Sequence, residues 1–202
     1  VHVVFLHTGA PQIIGTGSKK VEKMEDLKGL RLRAITGAPL KYLQALGATP
    51  VTVPMPEVFE ALQKGTIDGY CTDWAGIGGF KFDEISKYVL DEPLYASTFF
   101  MIMNQKRWDS LPPDIQQVFN EFGGDYASAM YGNVWQTAAD TYKEAAVKKG
   151  VQLVKLSAEE RARWEAVAPQ VWDEYVKIVD SKGANGKELV EKVKALYAKY
   201  RQ

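Results

Sequence analysis

Between residues 30 and 70, three short apolar segments alternate with two helical ones. No other feature of this 202-residue chain constrains its fold as strongly. Leu30–Ile35 alternates apolar and polar residues, which predicts a strand carrying Arg31 and Arg33. Pro39 suits the first residue of a helix with Leu40, Leu43 and Leu46 on one face and Gly47 as its stop. Val51–Val53 reads as the next strand. Pro56 opens a second helix through Val58, Phe59 and Leu62, closed by Gly65, and Thr66–Tyr70 reads as the third strand. Successive βαβ units require a parallel sheet with right-handed crossovers. The fold class is therefore α/β, with parallel-rich sheets flanked by helices.

The flanking regions read differently. Val3–Leu6 is apolar and β-branched and predicts an opening strand. His7–Lys20, rich in Gly, Thr and Ser, predicts a loop. An apolar strand at the very start, beginning on Val1, suggests a chain that starts inside something larger. The second half is mostly helical after an apolar stretch at Ser97–Met103. From Pro113 to Lys149, apolar residues from Ile115 through Tyr142 keep helical spacing over about 35 residues, long for a globular helix, with glycines at 123, 124 and 132 where it can bend. Val151–Val154 reads as a strand, Ser157-x-x-Glu160 as a capping box, and Leu189–Tyr197 as an amphipathic helix.

Charge is balanced at 25 Lys+Arg against 25 Asp+Glu, so nothing global favours nucleic acid or an anionic surface. No apolar run reaches the roughly 18–20 residues that span a bilayer. The single cysteine, Cys71, excludes an intramolecular disulfide. The motifs of metalloproteases, P-loop enzymes and serine hydrolases are missing, and Gly15-Thr-Gly17-Ser and Gly76-Ile-Gly78-Gly79 lack dinucleotide-binding spacing and read as loops. Two histidines, His2 and His7, make no persuasive transition-metal set.

In open α/β sheets, ligands bind beyond the carboxyl ends of the strands. Those ends carry Arg33, then Met55, then Tyr70 with Cys71, Thr72, Asp73 and Trp74. A guanidinium holds a carboxylate bidentately, aromatic rings wall the apolar remainder of a ligand, and helix N-termini favour anions. Plainer roles stand beside these. Arg33 can pair with a local acid. Trp74 can be core or an interdomain wedge. Asp73 suits a helix N-cap better than a ligand contact. Thr72 can satisfy a turn, Met55 can simply pack, and Cys71, with no histidine nearby in sequence, suits an inert buried thiol.

Three stretches together resemble the DctP-type extracytoplasmic solute-binding proteins of tripartite ATP-independent periplasmic (TRAP) transporters. These are Glu25-Asp-Leu-Lys-Gly-Leu-Arg-Leu-Arg33, Leu46-Gly-Ala with Pro50, and Pro54-Met-Pro-Glu-Val-Phe-Glu-Ala-Leu-Gln-Lys-Gly-Thr-Ile-Asp-Gly69. Trp108-Asp-Ser-Leu-Pro-Pro-Asp-Ile-Gln before a long helix fits as well, and the likeness runs through nearly the whole chain. It implies a two-lobed, type II-like periplasmic binding protein that captures a small organic carboxylate (a keto, hydroxy or aromatic acid). Such a protein delivers the acid to membrane subunits without being membrane-embedded itself. Residues 1–98 would belong mostly to lobe II. Residues 99–202 would hold the return strand to lobe I, the lobe-spanning helix of about 113–149 and the C-terminal helices, with the N-terminal part of lobe I lying outside this sequence. The family's carboxylate-binding arginine maps onto Arg33, and further contacts map onto Tyr70–Trp74. Asp73-Trp74 resembles the acid–Trp pair of members that bind small keto or hydroxy acids. Some of those use a cation with a glutamine near Gln12, which would enlist Gln12 and Asp73 here. Phe99 and Phe100 stand where a further acidic ligand is expected, so a metal is left open and not predicted, no other cofactor is expected, and the two phenylalanines with Trp74 suit an apolar or aromatic acid. An enzyme acting on an organic acid and the binding lobe of a sensor remain as alternatives.

Overall fold

In the computed structural model, which describes residues 1–200, the βαβ core forms as the spacing predicts. Strand β3 (Arg31–Arg33), helix α1 (Ala38–Ala45), strand β4 (Thr49–Val51), helix α2 (Val58–Gln63) and strand β5 (Gly69–Thr72) follow in order. The two helices end before Gly47 and Gly65, both in the left-handed region that glycine enters without strain. β3 pairs in parallel with β4 on one side and β5 on the other.

The sheet is not wholly parallel. Strand β2 (Gln12–Thr16) lies inside the stretch expected to be a loop and inserts between β5 and β6 (Tyr88–Tyr95), antiparallel to both. With β8 (Gln152–Val154) beside β6, the six strands run β4-β3-β5-β2-β6-β8. All five residues of β2 are buried, so its Gly and Thr serve a central strand in place of a turn. Successive residues point to opposite faces. Ile14, Leu32, Cys71 and Leu90 therefore build one core under α1 and helix α7 (Ala158–Glu165), where Trp164 packs. Ile13, Tyr70 and Val89 build the other.

A second, two-stranded sheet pairs β1 (His2–Thr8) with β7 (Thr98–Met103). After the short helix α4 (Gln105–Asp109), the long helix of the sequence reading is in fact two, α5 (Pro113–Phe122) and α6 (Gly124–Lys148). The break is at Gly123, where the backbone of β1 comes so close that a Cβ would lie 2.8 Å from the Val4 carbonyl oxygen. Gly124 beside it takes a left-handed conformation. α6 alone spans about 37 Å and touches both β1 and helix α3 (Trp74–Gly79). α3 also replaces a loop expected at Gly76–Gly79: the glycines let it lie against α6, where a Cβ on Gly78 would stand 1.9 Å from the Tyr142 ring. Ser157 caps α7 through the Glu160 N–H as predicted. Helices α8 (Ala168–Asp180) and α9 (Gly186–Tyr200) complete the described chain.

Candidate carboxylate site

Arg31 and Arg33, two residues apart on the same strand, meet opposite fates. Arg31 grips Asp68 with Nε at 3.0 Å and Nη2 at 2.7 Å, a bidentate pair within the protein. Arg33 is only 8% exposed, yet no Asp or Glu among the described residues stands within ion-pair distance of it. Its Nε donates to the Val53 carbonyl at 2.9 Å and Nη1 to the Cys71 carbonyl at 3.4 Å. These two backbone oxygens, one beyond β4 and one in β5, clamp the guanidinium at the carboxyl end of the sheet. Its other N–H donors meet no acceptor among the described residues. Burial pulls its pKa down from the ordinary value, since desolvation disfavours the charged form. Taking a guanidinium out of water without a counter-charge costs several kcal/mol, so this arrangement suits a residue whose partner comes from outside the protein.

Tyr95, at the end of β6, is a neighbour of Arg33 that the sequence reading missed. Its hydroxyl is buried beside the Cys71 thiol and Arg33 and makes no geometrically sound hydrogen bond. Gln12 lies opposite Tyr95 in the β2–β6 register and donates Nε2 to Asp73 Oδ2 at 3.0 Å. Asp73 Oδ1 accepts the Gly76 N–H at 2.7 Å, the N-cap role the sequence favoured. Both carboxylate oxygens of Asp73 are thus engaged by N–H donors. No group of three or more His, Cys, Asp or Glu able to hold a metal occurs among the described residues.

The remaining expected residues divide. Thr72 and Met55 come together, both against Gly76, where a Cβ would meet Thr72 Oγ1 at 2.4 Å and Met55 Cε at 3.2 Å. Phe99 reaches the same rim from β7, near Gly9 and Asp73. Tyr70 does not join them. Its side chain is 0% exposed, buried in the core with its hydroxyl 2.7 Å from Ser86 Oγ, because alternation along β5 turns it inward under α2 and α3. Trp74 is 5% exposed and packs in that core, and its indole N–H is committed to Asp91 at 3.0 Å, so it has no donor left for a ligand. Asp91 also takes Lys143 of α6 at 2.6 Å and Lys155 at 3.1 Å, tying α3, α6 and β6 together.

Comparisons with known proteins place the chain in a family. A family model, bacterial extracellular solute-binding protein family 7 (DctP), matches residues 2–178. The C4-dicarboxylate-binding periplasmic protein DctP of Rhodobacter capsulatus is 29% identical over 86% of this chain and 51% of its own length. The 2,3-diketo-L-gulonate-binding periplasmic protein YiaO of Escherichia coli is 28% identical over 86% of this chain and 52% of its own. This chain thus spans about half the length of these relatives. Among solved structures, a marine metagenome TRAP solute-binding protein specific for aromatic acid ligands, with metahydroxyphenylacetate, superposes with a TM-score of 0.93 at 29% identity. The match covers 100% of this chain and 64% of that one. A TRAP solute-binding protein from Rhodoferax ferrireducens with copurified benzoate gives 0.91 at 30% identity, covering 98% and 63%. With an unpaired arginine at the strand end and a family match along most of its length, the chain belongs to the DctP-type bacterial extracellular solute-binding proteins, family 7.

Proposed function

We propose that the protein to which this chain belongs captures a small organic carboxylate outside the cytoplasm and presents it to the membrane subunits of a TRAP-type transporter. One observation carries the reading: Arg33 is buried, clamped by two carbonyls and without a protein counter-charge. A ligand carboxylate supplies that charge. Gln12, Thr72, Asp73, Met55 and Phe99 line the surroundings, and Trp74 supports them from behind. The names of the related proteins support the same class: C4-dicarboxylate, diketogulonate and aromatic acids all carry carboxylates.

In this reading residues 1–98 belong mostly to one lobe, and residues 99–202 return to the other through β7 and brace both through α6. Closure of the lobes dries the Arg33–carboxylate pair and strengthens it. No helix among the described residues is long and apolar enough to cross a membrane.

Native mass spectrometry of the intact protein identifies a retained acid directly, and calorimetry with carboxylic acids measures its affinity. An intact protein that carries no acid and gives no heat with aliphatic or aromatic carboxylates overturns the proposal.

A further inference from the structure

Near Asp73, β1, β7 and α6 bring five rings into a short row two rings wide, His7 lying 5.9 Å from Phe5 and 6.4 Å from Trp135 as well. Phe5 stacks on Tyr131 at 5.1 Å, Tyr131 on His7 at 4.8 Å, His7 on Phe99 at 5.1 Å and Phe99 on Trp135 at 5.8 Å. The planes of Phe99 and Trp135 differ by only 9°. The row follows from register and helical spacing. His7 and Phe99 face each other across the β1–β7 ladder, and Tyr131 and Trp135 stand four residues apart on α6.

Two details make this row more than a patch of core. The Trp135 indole N–H donates to His7 Nδ1 at 3.2 Å, so the ring is fixed in place and presents no free donor to a ligand. Gly9 separates the row from the polar site: a Cβ there would lie 3.2 Å from the Phe99 ring, 3.9 Å from Trp135 and 3.7 Å from Asp73 Oδ2. Asp73 follows Cys71, whose carbonyl holds Arg33, by two residues, about 6–7 Å of extended chain. An apolar, flat-walled end and a cationic end thus lie to either side of Asp73. Phe99 is 40% exposed in this chain.

We propose, resting on the carboxylate reading above, that Phe99 and Trp135 are specificity-determining residues. The site then selects acids whose carboxylate is borne on an aromatic ring, the ring lying along the Phe99–Trp135 end while the carboxylate meets Arg33. Stacked aromatic pairs gain attraction beyond the area they bury, so a saturated ring of the same size is the sharpest control.

The test is calorimetric titration of the intact protein with benzoate, cyclohexanecarboxylate and succinate, in the wild type and in Phe99→Leu and Trp135→Leu. Benzoate is expected to bind roughly threefold to tenfold tighter than cyclohexanecarboxylate. Each substitution is expected to bring that ratio close to one while both acids still bind. Phe99 lies on β7, outside α6, so its variant decides the matter even where Trp135→Leu disturbs that helix. Equal affinities for the two ring acids in the wild type, tighter binding of succinate than of benzoate, or a ratio that survives Phe99→Leu overturns the aromatic assignment alone. Failure of every acid to bind the wild type, or undiminished binding in Arg33→Ala, overturns the carboxylate reading beneath it.

Discussion

Gly15 and Tyr70 face each other across β2 and β5, and the Tyr70 ring fills the space that a side chain at position 15 would need: a Cβ there would stand 2.3 Å from the ring. This close approach keeps Tyr70 in the core and makes Gly15 a strand residue. Gly15→Ala is expected to destabilise the protein by about 1–3 kcal/mol, through overpacking of a ring that has nowhere to move. Adding Tyr70→Leu should recover part of the loss, a non-additivity that denaturant titration of both variants measures. Strictly additive losses would show that the ring does not limit position 15.

Arg33→Ala is expected to weaken binding of any carboxylate by roughly 2–5 kcal/mol. Arg33→Lys should also bind poorly, since an ammonium lacks the planar fork. Without ligand the effect on stability runs the other way. The guanidinium is buried with no counter-charge, so Arg33→Met should leave the melting temperature unchanged or raise it. Thermal melts with and without benzoate read both effects, and a ligand-free Arg33→Met protein that melts well below the wild type contradicts the picture of an unpaired charge.

Asp91 is buried, which by itself raises its pKa, but the bonds from Lys143, Trp74 and Lys155 outweigh burial and hold the carboxyl below its ordinary value. A carboxyl depressed on folding contributes stability that is complete above its unfolded pKa, about 4, and lost as pH falls through the lower folded one. Asp91→Asn keeps an acceptor for the Trp74 indole and removes the charge. Melts from neutral pH downward should show a lower plateau for the variant and a shallower fall below about pH 4. Parallel curves would mean that Asp91 does not carry this part of the acid response.

Cys71 is fully buried, and burial pushes its thiol up to about 12. Only the thiolate is a good nucleophile. Thiol-reactive dyes at mildly alkaline pH should therefore label Cys71 only after denaturant is added. Rapid labelling of the folded protein would place the thiol at an accessible surface.

Much of the fold was legible because its signals are local. Pro39, Gly47 and Gly65 bracket the two crossover helices through backbone preferences of single residues. Asp73 and Ser157 cap α3 and α7 through bonds within three residues. The placement of Arg33 at a strand's carboxyl end needed only the alternation of β3 and the βαβ order. The loop reading of Gln12–Thr16 failed because Gly and Thr carry turn preferences of their own. The burial that makes this segment a central strand comes from β5 and β6, more than fifty residues away.

Sequence by itself determined the α/β class, the order of the crossover units and the arginine at the strand end, because periodicity, caps and chain breakers act over a few residues. Tertiary structure alone decided that Arg31 has a protein counter-charge and Arg33 does not, that Tyr70 turns inward, and that His7, Phe99 and Trp135 meet beside Asp73. The reason is physical: pairing of charges and stacking of rings depend on which distant segments pack together, and that is settled by burial across the whole sheet.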